Sequence, residues 1–300
     1  PQLVIHCVIA STCMSGLRRL LPLLVSCPVG AFIAPTTRCR PSSFSRRVAC
    51  FRSFQMDGTS GTRPLDASVA IEPSSGKHDS SVIFLHGSGD SGDGIKQWVG
   101  GEQGPFAFEK TRVVFPSAHM RKYSMLGPHG VQRVWFDRVA LGPQGAEDSV
   151  GMDAMSKLVK QLVYEEVGKG VPLSRIIVGG FSMGGAQSLH TVLADCIVNQ
   201  EKVAGVFAMS TFIADDSVLP KRLEQYSKQG GSIPPILYCH GEADSMIDCS
   251  WGAASVEKLR KAGAEVDWRT YPGVDHDMCR EELVGVREWI LARLAAAESS

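Results

Sequence analysis

The chain has 300 residues, of which 44% are hydrophobic and 21% are charged, with 31 basic and 31 acidic side chains. These values are typical of a globular protein, and they exclude a collagen-like fibre, a disordered polar chain and a strongly basic nucleic-acid-binding protein. The length fits one large α/β domain or two small ones.

The charge is not spread evenly along the chain. Residues 1–56 contain seven arginines, no lysine and no acidic residue. Subtracting these seven from the 31 basic side chains leaves 24 against 31 acidic ones, so residues 57–300 carry a net charge of −7. We therefore treat residues 1–55 as a leader outside the fold, either a presequence or a gene-model extension. A single folded domain is predicted over residues 56–300.

Two interpretations of this leader are open. Translation from Met14 would give an arginine pair and then a mostly apolar run of 15 residues, Leu20 to Ala34. Such a run is typical of a secretory signal and is shorter than the ~20 residues of a membrane span, so no stable membrane insertion is predicted. The Arg- and Ser-rich stretch that follows resembles a transit peptide, and together they resemble a bipartite presequence for a plastid or other organelle. Translation from Met56 would instead give a cytoplasmic protein.

Short apolar runs alternate with helical patterns after the leader. The runs predicted to be buried strands are 81–86, 112–115, 175–179, 203–209, 236–240 and 265–271. Helical periodicity is found in 150–168, 183–198, 256–262 and 283–294. This alternation predicts an α/β fold with a mostly parallel central sheet flanked by helices. The stretch 116–148 has little periodicity, which is typical of a lid or binding loop.

A glycine-flanked serine falls between a predicted strand and a predicted helix, in Gly180-Phe181-Ser182-Met183-Gly184. In this context G-x-S-x-G predicts a nucleophile elbow, in which the serine occupies a tight turn and small neighbours avoid clashes. The N-terminus of the following helix directs N–H groups at developing negative charge. Ser182 is therefore the predicted nucleophile, and a glycine-rich turn without a catalytic role is the alternative.

Asp244 and His276 each follow a predicted strand. The order serine, acid, histidine is that of α/β hydrolases, and all three residues would meet at the carboxyl edge of one sheet. His276 would take the proton of Ser182, and Asp244 would orient the imidazole and stabilise its cation. Glu242 and Asp248 are alternative carboxylates for this role.

Residues 87–92 match the pattern G-x-G-x-x-G after a strand. We reject a dinucleotide site because Asp90 and Asp93 would repel a pyrophosphate and because Gly100-Gly101 breaks the chain too soon for a good crossover helix. In a hydrolase, a loop at this position supplies an oxyanion-hole donor, so we predict the backbone N–H groups of Ser88 and Met183 as the donors. The spacing of the nearby acidic side chains fits no known metal site, and neither a metal nor a cofactor is predicted.

Six segments together resemble the acyl-protein thioesterase and lysophospholipase family. They are LHGSGDSGDG at 85–94, VWFDR at 134–138, GGFSMGG at 179–185, GVFAMSTF at 205–212, HGEADSMID at 240–248 and GVDH at 273–276. The likeness covers roughly residues 66–295 and is greatest to the lysophospholipase-like protein 1 branch. It implies an α/β-hydrolase fold of minimal size without a separate cap domain. It also assigns Ser182, Asp244 and His276 as the triad, which selects Asp244 over the other two carboxylates.

The same resemblance implies a serine hydrolase that cleaves acyl thioesters or esters through an acyl-enzyme. Acyl-protein thioesterases have glutamine after the nucleophile, whereas this chain has Met183, as the lysophospholipase-like branch does. The change keeps a backbone donor but leaves the acyl-chain length open. Acyl-protein thioesterase (palmitoyl-protein hydrolase) activity is the expectation, with an S-acylated protein or a small acyl ester as substrate. A short-chain carboxylesterase or lysophospholipase, and an inactive acyl-binding protein, are the alternatives.

In this family's arrangement the loop 116–137 would line the acyl site. The side chains that we name for that role are Met120, Tyr123, Met125, Leu126 and Trp135. A cluster of methionine and aromatic side chains can adapt to an acyl chain. Ordinary packing is the alternative, above all for Trp135. The sequence does not set the oligomeric state.

Overall fold

The structure, a computed structural model, describes residues 65–196 and 202–298. Its strands are β1 (Asp66–Ile71), β2 (Ser80–Leu85), β3 (Thr111–Ser117), β4 (Met120–Lys122), β5 (Val131–Arg133), β6 (Ile176–Phe181), β7 (Gly205–Met209), β8 (Ile236–Gly241) and β9 (Val266–Tyr271). Its α-helices are α1 (Gly92–Trp98), α2 (Ser149–Gly168), α3 (Met183–His190), α4 (Leu219–Lys228), α5 (Cys249–Lys261) and α6 (Arg280–Glu298). The leader predicted over residues 1–55 lies outside the described residues, so its role stays a prediction.

Seven strands form one sheet in the order β1-β3-β2-β6-β7-β8-β9. Strand β1 pairs antiparallel with β3, and every other pair in this sheet is parallel. The prediction of a mostly parallel α/β sheet is confirmed. Because β6, β8 and β9 are parallel neighbours or near neighbours, the segments that follow them emerge at the same edge of the sheet.

Both faces of the sheet are covered, which explains why its central strands β2, β6, β7 and β8 are buried at every position. Along β2, Val82 and Phe84 belong to one buried cluster, which includes residues of α1 and α6. Ile83 and Leu85 belong to the other, which includes residues of α2, α3 and α5. The alternation follows from the two-residue period of a strand, and the sheet lies between two helical layers.

Several local expectations differ from the structure. The stretch 116–148 is not structureless, because β4 and β5 form an antiparallel hairpin within it. The helix predicted over 183–198 is α-helical only to His190 and continues as a π-helical turn, Thr191–Cys196. Strand β1 and helices α1 and α4 were not predicted. No helix in the described ranges is both long and apolar enough to span a membrane.

Candidate active site

Ser182 occupies a sharp turn between β6 and α3. Its backbone has φ 54° and ψ −123°, and its N–H donates to the carbonyl of Met209 on β7 at 2.8 Å. The flanking glycines are needed for close packing, since a Cβ on Gly180 would lie 2.4 Å from the backbone of Gly184. A Cβ on Gly184 would lie 2.3 Å from the carbonyl oxygen of Leu85. The turn therefore has the geometry expected of a nucleophile elbow.

The three residues predicted as a triad lie within hydrogen-bonding distance of one another. His276 Nε2 is 3.0 Å from Ser182 Oγ, and His276 Nδ1 is 2.9 Å from Asp244 Oδ2. Because the carboxylate can only accept, Nδ1 carries the proton and Nε2 is free to accept from the serine. Ser182 and Asp244 are buried, and His276 is partly exposed. This arrangement can transfer the serine proton to the imidazole.

Hydrogen bonds keep the carboxyl group of Asp244 ionised. Its Oδ1 accepts from the backbone N–H groups of Met246 at 3.0 Å and Ile247 at 2.7 Å. Its Oδ2 accepts from His276 and lies 3.4 Å from His240 Nε2. Burial alone would raise the pKa of Asp244, but the bonds from His240, His276 and Ile247 lower it well below its usual range. A permanent negative charge therefore faces His276.

The two alternative carboxylates are occupied elsewhere. Glu242 is exposed and accepts from Thr270 Oγ1 at 2.7 Å. Asp248 is also exposed and caps α5, where it accepts from the N–H of Ser250 at 2.8 Å. The geometry thus favours Asp244 as the partner of His276.

The loop after β2 passes directly beside Ser182. A Cβ on Gly87 would lie 3.5 Å from Ser182 Cβ, and a Cβ on Gly184 would lie 2.5 Å from the carbonyl oxygen of His86. The predicted oxyanion donors flank these close approaches, since Ser88 follows Gly87 and Met183 begins α3. The structure brings the two segments together, and the donor role of their N–H groups belongs to the proposal below.

His86 holds this loop in place. Its Nδ1–H donates to the carbonyl of Gly87 at 2.6 Å, and its Nε2 accepts from the N–H of Ala118 at 3.1 Å. Burial lowers the pKa of His86 to about 4, so the ring is neutral at physiological pH. Trp135 donates from Nε1 to the carbonyl of His86 at 2.7 Å. The loop is therefore fixed by groups that do not change charge near neutral pH.

Comparison with known proteins identifies the family. Residues 66–293 match the profile of the phospholipase/carboxylesterase family. The chain belongs to this family. It is a hydrolase with the α/β-hydrolase fold.

Individual relatives agree with this assignment. The chain is 35% identical over 220 residues to mouse lysophospholipase-like protein 1, and the alignment covers 73% of this chain and 89% of the relative. It is 30% identical over 232 residues to acyl-protein thioesterase 1 of Gibberella zeae, and this alignment covers 75% of this chain and 94% of the relative. The crystal structure of Zea mays acyl-protein thioesterase 2 has a TM-score of 0.66 at 27% identity, covering 76% of this chain and 99% of that chain.

In this hydrolase the five predicted acyl-lining side chains separate into two groups. Met120, Met125 and Leu126 are exposed on the hairpin formed by β4, β5 and their connection. Val131, which sequence reasoning missed, is exposed on the same hairpin. Tyr123 is largely buried and Trp135 is fully buried. Full burial of Trp135 favours the packing alternative, because the ring packs against His86 and has no exposed surface.

Sequence reasoning also missed a contact between the loops that carry the acid and the base. Asp275 Oδ1 accepts from the N–H and the hydroxyl of Ser245 at 2.8 and 2.7 Å, and from the N–H of His276 at 2.8 Å. Ser245 follows Asp244 directly, so this carboxylate ties the two loops together. The signal in the sequence is an acidic residue immediately before the predicted base.

His240 has a larger part than a structural residue at a strand end. Its Nε2–H donates to the carbonyl of Ile247 at 2.7 Å and also faces Asp244. Within residues 65–196 and 202–298, no three His, Cys, Asp or Glu side chains are arranged to hold a metal ion.

Proposed function

We propose that this hydrolase is an acyl-protein thioesterase that works through an acyl-enzyme on Ser182. The observation that carries the proposal is the continuous hydrogen-bonded chain from Ser182 through His276 to Asp244, with 3.0 and 2.9 Å between the bonded atoms. The acyl-protein thioesterases among its relatives supply the substrate class, a protein acylated on a thiol.

Ser182 Oγ attacks the acyl carbonyl while His276 Nε2 takes its proton. The new C–O bond forms, the C–S bond breaks, and the imidazolium returns the proton to the leaving thiolate. Water then attacks the acyl-enzyme with His276 again as the base, which releases a fatty acid and the free serine. Asp244 stabilises the imidazolium in both halves of the reaction.

The negative oxygen of each tetrahedral intermediate would rest on the N–H groups of Ser88 and Met183. Each such donor contributes about 3 kcal/mol to lowering the barrier. Met183 is the first residue of α3, so the partial positive charge at the helix N-terminus adds to the field. Both donors belong to the backbone, so the adjacent side chains are free to vary.

A short-chain carboxylesterase is the second candidate. Its support is the exposure of Met120, Met125 and Leu126. Exposed apolar side chains remove less acyl-chain surface from water than a closed channel does, so each added methylene contributes less to binding. The lysophospholipase-like relative from mouse is consistent with either candidate. An inactive acyl-binding protein would need a disrupted triad, which the three bonded side chains do not support.

The compartment and the extent of the folded domain are part of the proposal. We infer a cytoplasmic enzyme over residues 56–300 if translation starts at Met56, and an organellar one if the leader is a presequence. A fluorescent fusion of residues 14–60 distinguishes them. Organellar fluorescence would support a presequence, and diffuse cytosolic fluorescence would exclude one.

The test of function uses the full chain as wild type, Ser182→Ala and Ser210→Ala. Ser210 is a matched control, since it is also a buried serine with positive φ (44°) at the end of a neighbouring strand. Initial rates are measured on p-nitrophenyl esters of two to sixteen carbons and on an S-palmitoyl peptide.

We expect wild type and Ser210→Ala to hydrolyse the palmitoyl thioester and Ser182→Ala to lose about 10⁵- to 10⁶-fold. Turnover limited to short esters would establish the carboxylesterase instead. Equal activity in Ser182→Ala, or a folded wild type that hydrolyses nothing, would refute the triad assignment.

A further inference from the structure

Trp98 reaches the loop that carries His276 from a distant part of the chain. It is the last residue of α1, and its indole Nε1–H donates to Asp277 Oδ1 at 3.0 Å. The ring is 41% exposed, so it is neither a core residue nor a free surface residue. The bond joins positions that are 179 residues apart in sequence.

Asp277 follows His276 directly and lies in a tight turn. Its N–H donates to the carbonyl of Asp275 at 2.7 Å, and its Oδ1 also accepts from the N–H of Met278 at 2.6 Å. A carboxylate that is bonded to its own turn and to Trp98 restrains the turn as a unit. A displacement of Asp277 would therefore move His276.

The indole ring reaches His276 by a second route. It packs against Phe181 with 5.1 Å between ring centroids, and Phe181 packs against the imidazole of His276 at 4.8 Å. Phe181 also precedes Ser182 in the elbow. One tryptophan thus restrains the base through a hydrogen bond on one side and through edge-on and tilted ring contacts on the other.

Helix α1 is itself firmly anchored to the sheet. Ile95 and Val99 are fully buried, and Gly92 N–H donates to Ser117 Oγ at 2.9 Å on β3. The helix begins four residues after Ser88, in the loop that passes beside the nucleophile. Through its contact with Asp277, Trp98 therefore links the position of His276 to that of the Ser88 loop, with helix α1 as the rigid connection.

We propose that Trp98 is a positioning residue that fixes His276 relative to Ser182 and the Ser88 loop. The inference rests on the proposed triad. Misplacing a reacting group by about 1 Å can cost up to ~100-fold in rate. Because this hydrogen bond is exposed and Asp275 still holds the other side of the turn, we expect a loss of about 3- to 10-fold from removing it.

The experiment separates the hydrogen bond from the ring. Trp98→Phe keeps an aromatic ring and deletes the N–H, whereas Asp277→Ala deletes the acceptor. Asp277→Asn keeps Oδ1 as an acceptor and removes the charge. The matched control is Trp289→Phe, a tryptophan of α6 that packs near Gly205 at the opposite end of β7.

For each full-length variant and the double variant Trp98→Phe/Asp277→Ala, kcat and KM are measured on p-nitrophenyl butyrate, together with Tm. We expect both single variants to lower kcat by the same 3- to 10-fold with KM unchanged. The double variant should lose no more than either single one, and Asp277→Asn should keep at least half of the wild-type kcat.

The contrary outcomes are distinct. Additive losses, or a loss equal to that of Trp289→Phe with a lower Tm, would reduce Trp98 to a stability residue. A loss in KM that grows with acyl-chain length would make it a substrate contact instead. Unchanged kcat in Trp98→Phe would refute the positioning role.

A second readout does not depend on turnover. The N–H proton shared by His276 and Asp244, identified by its absence in His276→Gln, should shift or broaden in the proton NMR spectrum of Trp98→Phe and not of Trp289→Phe. If wild type proves inactive, the proposed function fails, and an unchanged resonance would overturn the positioning role as well.

Discussion

Two buried carboxyl groups near the active-site edge of the sheet are held in opposite states. Asp244 follows β8 and is surrounded by two backbone N–H groups and two imidazoles. Glu282 lies in the first turn of α6, is fully buried, and has no hydrogen-bond partner of ordinary geometry for either oxygen among the described residues. The pKa of Asp244 lies well below its usual range, whereas burial raises the pKa of Glu282 to about 8.

Two ionisable groups near Glu282 are also held in their protonated, uncharged form. Burial raises the pKa of the Cys239 thiol on β8 and of the Tyr271 phenol on β9, whose sulfur and oxygen are 3.9 Å apart. Negative charge on Asp277 and Asp244 raises the pKa of Glu282 further, and the nearby N–H of Cys279 offsets burial only in part. Burial raises the pKa of both carboxyl groups, and only Asp244 has enough hydrogen-bond donors to reverse that effect.

The first way to test this comparison is to replace each carboxyl group with the isosteric amide. Asp244→Asn should lower kcat by about 10⁴-fold, because the amide cannot stabilise the imidazolium or select its tautomer. Glu282→Gln should stay within about threefold of wild type, because it mimics the protonated acid. Steady-state kinetics on p-nitrophenyl butyrate, with circular dichroism to check folding, decides this. Comparable losses would contradict the assignment of the charged state to Asp244 alone.

The second test uses the pH dependence of stability above pH 4.5. Between pH 4.5 and about 8 the folded chain keeps the proton of Glu282 and the unfolded chain releases it, so rising pH favours unfolding. We expect the free energy of unfolding in urea to fall by about 1–3 kcal/mol across this window. Glu282→Gln should remove that part of the slope. Identical slopes in the two proteins would mean that Glu282 is ionised when folded.

The third test concerns acid. The folded chain holds Asp244 ionised below pH 4, whereas the unfolded chain takes up a proton, so stability is lost as pH falls through and below about 4. After discounting for partial solvent screening, the contribution should be about 1–2 kcal/mol. Urea titrations at pH 3 and pH 6 should show a smaller acid loss in Asp244→Asn. An equal loss would place the acid sensitivity in other carboxyl groups.

The smallest expected effect concerns the bond between the two loops. Ser245→Ala removes the hydroxyl that bonds to Asp275 but leaves the backbone N–H at 2.8 Å, so kcat should fall by only about two- to threefold. Ser250→Ala, in the first turn of α5, is the control and should match wild type. A loss larger than tenfold would show that the side chain, rather than the backbone, holds the loops together.

The sequence predicted most strongly what depends on local pattern. The apolar run Val82–Leu85 predicts a buried strand, and β2 is buried at every position. Strand β1 gives no such signal, because it is a half-exposed edge strand without clear alternation. Helix α1 has only seven residues, and α4 is mostly polar, so neither gives a long periodic signal.

In the site, the motif around Ser182 and the chain order of acid and base gave the three residues that the fold brings together. The contact of Ser245 with Asp275 and that of Trp98 with Asp277 could not be predicted, because they depend on which loops meet. The residue type of Trp135 suits both an acyl site and a core, and only its burial in the structure favours the core.

The backbone conformation of Ser182 also affects which residue would occupy this position if the reaction were no longer under selection. An L-residue with φ 54° and ψ −123° is strained by about 1–3 kcal/mol, and glycine would adopt the same turn freely. Selection for folding alone would therefore favour glycine at this position. If Ser182 is the nucleophile, as we propose, a glycine here would mark a lineage that no longer needs the reaction, before any change in the buried core.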